Sequence, residues 1–237
     1  MEILGIIGGL GPMASAYFLE LLTRMTDAAT DQEHLELLLH QIPGTPDRTA
    51  FILGESQDSP LPELKRAGLG LVRSGATVIA IPCMTAHYFQ EELQEAIGAP
   101  VIHGIRETAQ YLKDHGIGTV GIMATDGTIR SGIFARELEA RGIRQVIPSA
   151  EGQRYVMDLI YNDVKAGIEP EMDKFKKVSM ELREAGAEVI VLGCTELSMI
   201  KRDYPLGRGY LDALEVLAMT AVKTCGRLNR DYKELIT

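Results

Sequence analysis

An internal repeat spans the two halves of the chain, and it limits the folds that the chain can adopt. Residues 5–12 (GIIGGLGP) align with residues 121–128 (GIMATDGT), 116 positions later. Residues 74–83 (SGATVIAIPC) align with residues 185–194 (AGAEVIVLGC), 111 positions later and in the same order. In this second pair a Gly-Ala dipeptide lies at the same distance before each cysteine. The sequence therefore predicts two similar units with a boundary near residues 113–119.

Within each unit, short aliphatic segments alternate with amphipathic ones. Residues 78–82 (VIAIP) and 189–193 (VIVLG) contain no polar side chain, whereas residues 14–29 and 131–142 have helical patterns. Strands that are apolar on both faces and alternate with helices are typical of parallel sheets covered by helices. We therefore predict an α/β fold in which parallel sheets form two similar lobes.

The repeat also suggests where the lobes begin and end. The predicted first lobe covers residues 1–115 and contains Cys83, and the predicted second lobe covers residues 116–210 and contains Cys194. A last helix, at about residues 211–237, is predicted to pack back on the first lobe. A chain of this length buries roughly 70–75% of its unfolded surface, so it needs neither a disulfide nor a metal to fold.

Charge and cysteine usage exclude several classes of partner. The net charge is −9 and no basic block offsets it, which argues against nucleic acid or an anionic membrane as a partner. No segment approaches the roughly 20 apolar residues of a membrane span, and the apolar start, residues 1–7, breaks at glycines like a strand rather than a signal peptide. Three cysteines far apart indicate a reducing compartment, so we predict a cytoplasmic protein.

Cys83 and Cys194 follow equivalent strands of the repeat. Ligands bind beyond the carboxyl ends of parallel strands, so two facing lobes would bring both thiols into one cleft. Thr85 and Thr195 are predicted helix N-caps, and a thiol beside a helix start should have a lowered pKa. A thiolate and a thiol on opposite sides of a substrate carbon form a two-base system that can invert that carbon. Cys225 has no counterpart and is predicted to be a packing residue.

The same residues allow other interpretations. Free cysteines are most often simply buried in a core. Cys83, His87 and Cys194 could be three zinc ligands, although their spacing is a weak zinc signature, and nothing orients His87 for a cysteine hydrolase dyad. Residues 9–14 could be a dinucleotide fingerprint, although no acidic residue closes a second strand. Lys165 could anchor pyridoxal phosphate, but no phosphate-binding pattern accompanies it.

Several motifs occur in order along nearly the whole chain: GIIGGLGPMAS, QIPGTPDRTAFIL, PCMTAHYF, ATDGTIRSGIF, DVKAG and GCTEL. Together they resemble the cofactor-independent aspartate/glutamate racemase family, and its aspartate racemase branch in particular. The resemblance implies two Rossmann-like lobes related by a pseudo-twofold axis, an active site in the cleft between them, and a homodimer. It also implies racemisation of L- and D-aspartate, or of glutamate, with no cofactor and no metal.

The resemblance assigns roles to single residues. The two repeated cysteines are implied as the acid/base pair. Arg48 and Lys165 match positions that hold the distal carboxylate of the substrate, and Thr85 and Thr195 match positions that bind its α-carboxylate. An arginine fork suits bidentate carboxylate binding, and Arg48 follows a turn signal, so the sequence predicts that it lies on a loop.

Further residues are predicted to line the cleft with less defined roles. Glycines before the first helix would let the backbone approach a small ligand, and threonines in the matching turn of the second lobe would line the cleft or cap a helix. A glutamate would assist its neighbouring cysteine, bind an amine or be an exposed capping carboxylate. Asp47 and Asp212 are predicted to be turn residues. The cleft residues of this set are Leu10, Gly11, Met84, Thr125, Thr128 and Glu196.

Met84 departs from the family pattern, which usually reads Cys-Asn-Thr at this motif. Methionine has neither the donor nor the acceptor of the asparagine amide. Either the amino group of the substrate is bound from elsewhere, or the substrate is not a simple acidic amino acid. Two other functions therefore stay open on the same fold: a maleate-isomerase-like or decarboxylase-like enzyme of a small dicarboxylate, and a non-catalytic binder of an acidic metabolite.

Overall fold

Residues 2–237, which this computed structural model describes, contain seven β-strands in two parallel sheets. The elements that precede residue 116 are β1 (Leu4–Gly8), α1 (Pro12–Met25), β2 (Leu37–Gln41), α2 (Arg48–Leu53), α3 (Leu61–Arg73), β3 (Val78–Ala80), α4 (Gln90–Ile97) and α5 (Gly104–Asp114). A 3₁₀-helix, Met84–Phe89, joins β3 to α4.

The second part of the chain repeats this alternation. Its elements are β4 (Thr119–Met123), α6 (Asp126–Ser131), α7 (Ile133–Glu139), β5 (Arg144–Val146), α8 (Ala150–Met157), α9 (Met172–Glu184), β6 (Val189–Leu192), α10 (Thr195–Asp203), β7 (Tyr210–Asp212) and α11 (Ala213–Cys225). A π-helical segment, Asp158–Val164, follows α8 directly.

The strand orders of the two sheets match the internal repeat of the sequence. The first sheet has the order β2-β1-β3 and the second has the order β5-β4-β6-β7, so the aligned segments of the sequence occupy equivalent strands. All strand pairs within the sheets are parallel, and β1, β3, β4 and β6 are largely buried, as their apolar composition requires. The predicted α/β fold with parallel sheets is confirmed.

The largest hydrophobic cluster lies between the two sheets and contains residues from β1, β4, α1, α5 and α11. Two smaller clusters cover the outer faces, one with α3 and α4 on the first sheet and one with α8 and α9 on the second. The two sheets therefore share one central layer of helices, and this layer fixes how their carboxyl ends face each other.

The last helix differs from its predicted extent of 211–237. Residues Tyr210–Asp212 pair with β6 as strand β7, and the helix α11 covers only Ala213–Cys225. The helix begins where the Asp212 side chain accepts a hydrogen bond from the Leu214 N–H. It packs against α1 and α5, which both lie before residue 116. The lobe boundary between residues 115 and 116 stays a prediction.

Length and hydropathy of the helices bear on membrane insertion. Within residues 2–237, no helix is both long and apolar enough to cross a bilayer.

Candidate active site

A small cavity lies beyond the carboxyl ends of β1, β3, β4 and β6 and is lined by both repeated cysteines. Ten residues that the sequence analysis selected line this cavity: Leu10, Arg48, Cys83, Met84, Thr85, Thr125, Lys165, Cys194, Thr195 and Glu196. Three residues that it did not select for the cleft also line it: Asp47, Thr49 and Tyr161. The sequence thus located this cavity but missed one cluster on its wall.

Each cysteine lies where a strand turns into a helix. Cys83 directly precedes the 3₁₀-helix and Cys194 directly precedes α10, both with extended backbone angles. The cysteines themselves therefore occupy the N-cap positions. The prediction that Thr85 and Thr195 are N-caps is wrong, because the chain has already entered the helical turn at these residues.

The Cys194 thiol is hydrogen-bonded to a carboxylate. Its Sγ donates a hydrogen bond to Glu196 Oε2 at 2.9 Å, and both side chains are buried. Burial raises the pKa of the Cys194 thiol well above its usual value, and the Glu196 charge raises it further, whereas the Lys165 ammonium opposes the shift. The prediction that the helix start lowers the thiol pKa is wrong for Cys194, since burial and the carboxylate outweigh it. This thiol is an acid at neutral pH.

Glu196 is neither exposed nor a capping-box carboxylate. It also accepts a hydrogen bond from the Thr195 hydroxyl at 3.2 Å. On its other side lies Gly11, where an added Cβ would be 3.4 Å from Glu196 Oε1 and where φ is +119°. Gly11 therefore packs against Glu196. It lines an adjoining apolar groove rather than the cavity itself.

Gly9, in the same turn, also has a packing role. An added Cβ at Gly9 would lie 2.5 Å from the Ile42 backbone nitrogen. Close packing against Ile42 thus accounts for a glycine at position 9. The predicted approach of the backbone to a ligand is not needed to explain it. Nothing in this turn favours the dinucleotide-fingerprint interpretation.

Arg48 is the first residue of α2, so the prediction that it lies on a loop is wrong. Its side chain is only 8% exposed, and Nη1 donates to the carbonyl oxygens of Thr45 and Pro46 at 3.3 and 2.9 Å. Its Nε is buried without a hydrogen-bond partner among residues 2–237. Burial disfavours the charged guanidinium, but negative charge at Cys83 and Asp47 outweighs this and raises the pKa of Arg48. An unpaired buried N–H on a permanent cation is suited to an anion.

Lys165 is held by two residues that sequence reasoning did not assign to the site. Its Nζ lies 3.8 Å from Asp47 Oδ2 and 3.9 Å from the centre of the Tyr161 ring. Burial lowers the pKa of Lys165, but the charges of Glu196 and Cys194, with smaller contributions from its two neighbours, outweigh this and raise it. Lys165 is therefore a cation at the cavity wall.

Asp47 and Tyr161 form the base of this cluster. The Tyr161 hydroxyl donates to Asp47 Oδ2 at 3.1 Å, and Asp47 also caps α2 by accepting from the Ala50 N–H at 2.9 Å. Tyr161 precedes Lys165 by four residues, a spacing that places two side chains on one helix face. That spacing is the signal that could have found Tyr161, and π-helical segments such as the one that carries it are frequent at functional sites.

Three threonine hydroxyls form a closed cluster beside Cys83. Thr85 Oγ1 lies 3.1 Å from Thr125 Oγ1 and 3.0 Å from Thr128 Oγ1, and the last two are 3.1 Å apart. Thr125 both lines the cavity and caps α6, so its two proposed roles coexist, whereas Thr128 lies behind it. Hydroxyl groups can rotate to donate to an anion, which suits this cluster to a carboxylate.

Met84 is fully buried, and the end of its side chain packs beside α5. A Cβ added to Gly104, the first residue of α5, would lie 3.2 Å from both Met84 Sδ and Cε. Met84 is part of the central hydrophobic cluster as well as of the cavity wall. It supplies shape and no polar group, so the polar contacts of the cavity come from other residues.

His87 is buried away from the cavity wall. Its ring nitrogens lie 3.1 Å from Gln90 Oε1 and 3.2 Å from the Ile81 carbonyl oxygen, and the single N–H of a neutral imidazole donates to one of the two. Burial, with a smaller contribution from His103, lowers the pKa of His87 to about 4. His87 does not line the cavity that contains both cysteines, so the geometry favours neither zinc binding with them nor a hydrolase dyad, and no group of three or more potential metal ligands occurs within residues 2–237.

Comparison with known proteins gives a consistent result over the whole chain. The structure of aspartate racemase from Picrophilus torridus has a TM-score of 0.84 and 31% identity, with 98% of each chain covered. That of an aspartate racemase homologue from Pyrococcus horikoshii OT3 has a TM-score of 0.76 at 22% identity, with 95% of this chain and 99% of that one covered. The broad specificity amino-acid racemase RacX of Bacillus subtilis (strain 168) is 25% identical over 229 residues, which are 93% of this chain and 97% of the relative.

The family model of the Asp/Glu/Hydantoin racemases matches residues 7–221, a range that begins in β1 and ends in α11. The resemblance inferred from the six sequence motifs is thereby confirmed. The match includes every residue that lines the cavity with the two cysteines. This chain therefore belongs to the Asp/Glu/Hydantoin racemase family.

Proposed function

We propose that this protein racemises a small acidic amino acid, aspartate first of all and glutamate as the alternative, without a cofactor. The observation that carries the proposal is that Arg48, whose Nε is buried without a partner, lines a small cavity together with Cys83 and Cys194. A named aspartate racemase at 31% identity over nearly the whole chain supports the choice of substrate.

Two cations and a hydroxyl cluster give the substrate one orientation. The distal carboxylate would bind Arg48 and Lys165, which supply local positive charge in a protein whose net charge is −9. The α-carboxylate would bind the hydroxyls of Thr85 and Thr125 and the backbone N–H groups at the start of α10. With both carboxylates held, Cα lies between the thiols, and the substrate amino group can donate to Glu196 in place of the amide that Met84 lacks.

Racemisation then follows as a pair of proton transfers. In one direction the Cys83 thiolate removes the α-proton, and the Cys194 thiol delivers its own proton to the opposite face of the carbanion. The enzyme is left with a protonated Cys83 and a Cys194 thiolate, the state that serves the other enantiomer. The α-hydrogen of an amino acid is a weak acid, so donors preorganised in a cavity that excludes water must stabilise the carbanion.

The two thiols differ in how well they tolerate charge. A thiolate at Cys194 would lie beside the Glu196 carboxylate, compensated in part by Lys165, whereas negative charge at Cys83 is matched by Arg48. We therefore expect Cys194 to hold its proton in the free enzyme, where it would act first as the acid.

The two-thiol mechanism is tested by solvent exchange. A single enantiomer of aspartate in D₂O should gain α-deuterium, followed by proton NMR, while its circular dichroism decays. Cys83→Ser and Cys194→Ser should each lose racemisation, whereas Cys225→Ser, the third cysteine and the matched control, should keep it. Full activity in either of the first two variants would disprove the mechanism.

The same measurements separate the alternatives. A dicarboxylate isomerase or decarboxylase would leave the α-hydrogens of amino acids in place while it consumed maleate-like compounds. A non-catalytic binder would give heat in a calorimetric titration with aspartate and no exchange in D₂O. A panel of L- and D-amino acids then ranks aspartate against glutamate and against the uncharged amino acids.

A homodimer in the cytoplasm is also part of the proposal. Light scattering after size-exclusion chromatography should give about twice the chain mass of 25.9 kDa. A single-chain mass at micromolar concentration would contradict this assembly.

A further inference from the structure

Asp212 is a fully buried carboxyl group that the proposed proton transfers do not use. It ends β7 and caps α11, with Oδ1 accepting from the Leu214 N–H and from the Ser198 hydroxyl, both at 2.8 Å. Its Oδ2 has no hydrogen-bond partner within residues 2–237. The prediction that Asp212 is a turn residue misses this burial. A carboxyl group in such a place costs stability, so its presence calls for a physical reason.

The partner of Asp212 lies in the same helical turn as the catalytic cysteine. Ser198 is on α10, and its backbone N–H donates to the Cys194 carbonyl at 3.3 Å. Ser198 is itself fully buried. The hydrogen bond from Ser198 to Asp212 therefore acts directly on the turn that presents the Cys194 thiol and Glu196 to the cavity.

A second contact joins the same two helices. Lys201, one turn further along α10, forms an ion pair with Glu215 in the first turn of α11 at 2.7 Å. The helix α11 in turn packs against α1 and α5 in the central layer between the sheets. The start of α10 is thus tied, through Asp212, to helices on which the first sheet also packs.

We infer that Asp212 is a positioning residue for Cys194: its hydrogen bond to Ser198 fixes the first turn of α10 and so the distance from the Cys194 thiol to the substrate carbon. This inference rests on the proposed racemase function. Arg48 and Lys165 lie on other elements and would still bind the distal carboxylate, whereas the α-carboxylate and the amino group would contact the first turn of α10 itself.

The inference predicts that kcat falls by a larger factor than KM changes. Misplacing a reacting group by about 1 Å can cost about 100-fold in rate, so Asp212→Ala should lower kcat for aspartate by at least about tenfold. Its KM should change by a smaller factor, because Arg48 and Lys165 still bind the distal carboxylate. Asp212→Asn keeps an oxygen acceptor for the Ser198 hydroxyl and for the Leu214 N–H, and should recover most of the lost kcat.

Ser198→Ala removes the donor of the same hydrogen bond, whereas Asp212→Ala removes the acceptor. It provides the test if Asp212→Ala does not fold. It should also lower kcat more than it changes KM. The matched control is Ser179→Ala, which deletes another buried hydroxyl, one that bonds to Tyr210 on the same strand β7 but does not line the cavity. The control should keep the kcat of the wild type.

A purely structural role and a positioning role differ in the primary deuterium isotope effect. When transfer at Cys194 is slowed, the isotope effect with α-deuterated substrate should rise for the enantiomer whose proton Cys194 removes and fall for the other enantiomer. Asp212→Ala and Ser198→Ala should show this divergence, and Asp212→Asn should not. Equal isotope effects for both enantiomers, or unimpaired kcat, in folded Ser198→Ala and Asp212→Ala would overturn the inference alone. A wild-type protein without racemase activity would overturn the proposed function and this inference with it.

Discussion

Cys83 and Cys194 are the same residue type at equivalent places in the repeat, yet their surroundings differ in charge. Cys194 donates to a buried carboxylate, and negative charge at Cys83 interacts with a guanidinium. In the proposed mechanism each thiol has to gain and lose a proton. The surroundings of Cys194 favour its protonated form.

The Glu196 carboxylate can be neutralised without changing its shape. Because this charge raises the pKa of Cys194 in addition to the effect of burial, Glu196→Gln should lower that pKa. Alkylation of Cys194 by iodoacetamide, followed by mass spectrometry of the peptide, should then begin at lower pH than in the wild type. Glu151→Gln, an exposed glutamate on α8, is the control and should leave the profile in place. An unchanged profile in Glu196→Gln would mean that the carboxylate charge does not act on the thiol.

We expect substrate binding to need the bidentate geometry of the Arg48 guanidinium as well as its charge. Hydrogen bonds to charged groups contribute about 1.5–3 kcal/mol, so Arg48→Gln should raise KM for aspartate by roughly ten- to a hundredfold. Arg48→Lys keeps the charge but loses bidentate geometry, and should recover only part of the affinity.

The control for these variants is Arg73→Gln, an exposed arginine at the end of α3. Initial rates across a range of aspartate concentrations measure the effect. A KM for Arg48→Gln as low as that of the control would remove Arg48 from the substrate site.

Among the elements, α2 and α6 are the pair whose contact brings the two halves of the cavity together. An added Cβ at Gly127 in α6 would lie 2.9 Å from Thr49 Cα in α2. Arg48 precedes Thr49, and Thr125 caps α6, so this approach sets the distance between the cation and the hydroxyl cluster. The helices α2 and α6 therefore cannot separate without widening the cavity.

A methyl group at this contact should therefore harm both stability and activity. Overpacking in a well-packed region costs about 1–3 kcal/mol, and Gly127→Ala should lower the free energy of unfolding by about this amount. Gly44→Ala is the matched control, because an added Cβ there would meet nothing within 4 Å. Urea denaturation and initial rates measure the two effects. Wild-type stability in Gly127→Ala would show that α2 and α6 are not in close contact in solution.

At the scale of the whole molecule, one buried imidazole gives a pH dependence to folding. His87 is uncharged in the folded protein, with a pKa lowered by burial from 6.5 to about 4. As the pH falls below 6.5, the unfolded chain takes up a proton at this residue and the folded chain does not. The free energy of unfolding should therefore fall by up to about 1.4 kcal/mol per pH unit from this residue until the pH reaches about 4.

His87→Gln should be less stable at neutral pH but should lose less of its stability between pH 6.5 and pH 4. His34→Gln, which changes a histidine in the loop before β2, is the control. Denaturant unfolding of the three proteins at several pH values gives the slopes. Equal slopes for wild type and His87→Gln would mean that His87 is not buried in its neutral form.

The helix α11 joins the two sheets into one molecule. It follows the last strand of the second sheet and packs against α1 and α5, and it ends at Cys225 instead of continuing to residue 237. The periodic apolar pattern predicted a helix here, but the pairing of Tyr210–Asp212 with β6 and the cap at Asp212 decided where the helix begins. The strand pairing depends on contact with another element, which the local apolar pattern does not contain.

The sequence by itself determined the α/β fold, the two parallel sheets and the place of both cysteines after equivalent strands, because these follow from short-range periodicity and from a repeat that aligns residue by residue. Ten residues selected from motifs line one cavity in the structure. Only the tertiary structure decided that Cys194 is paired with Glu196, that Arg48 is buried with an unpaired Nε, and that Asp47 and Tyr161 hold Lys165. Burial and the distances between charges depend on how the chain packs across its two halves, and no local pattern of residues contains them.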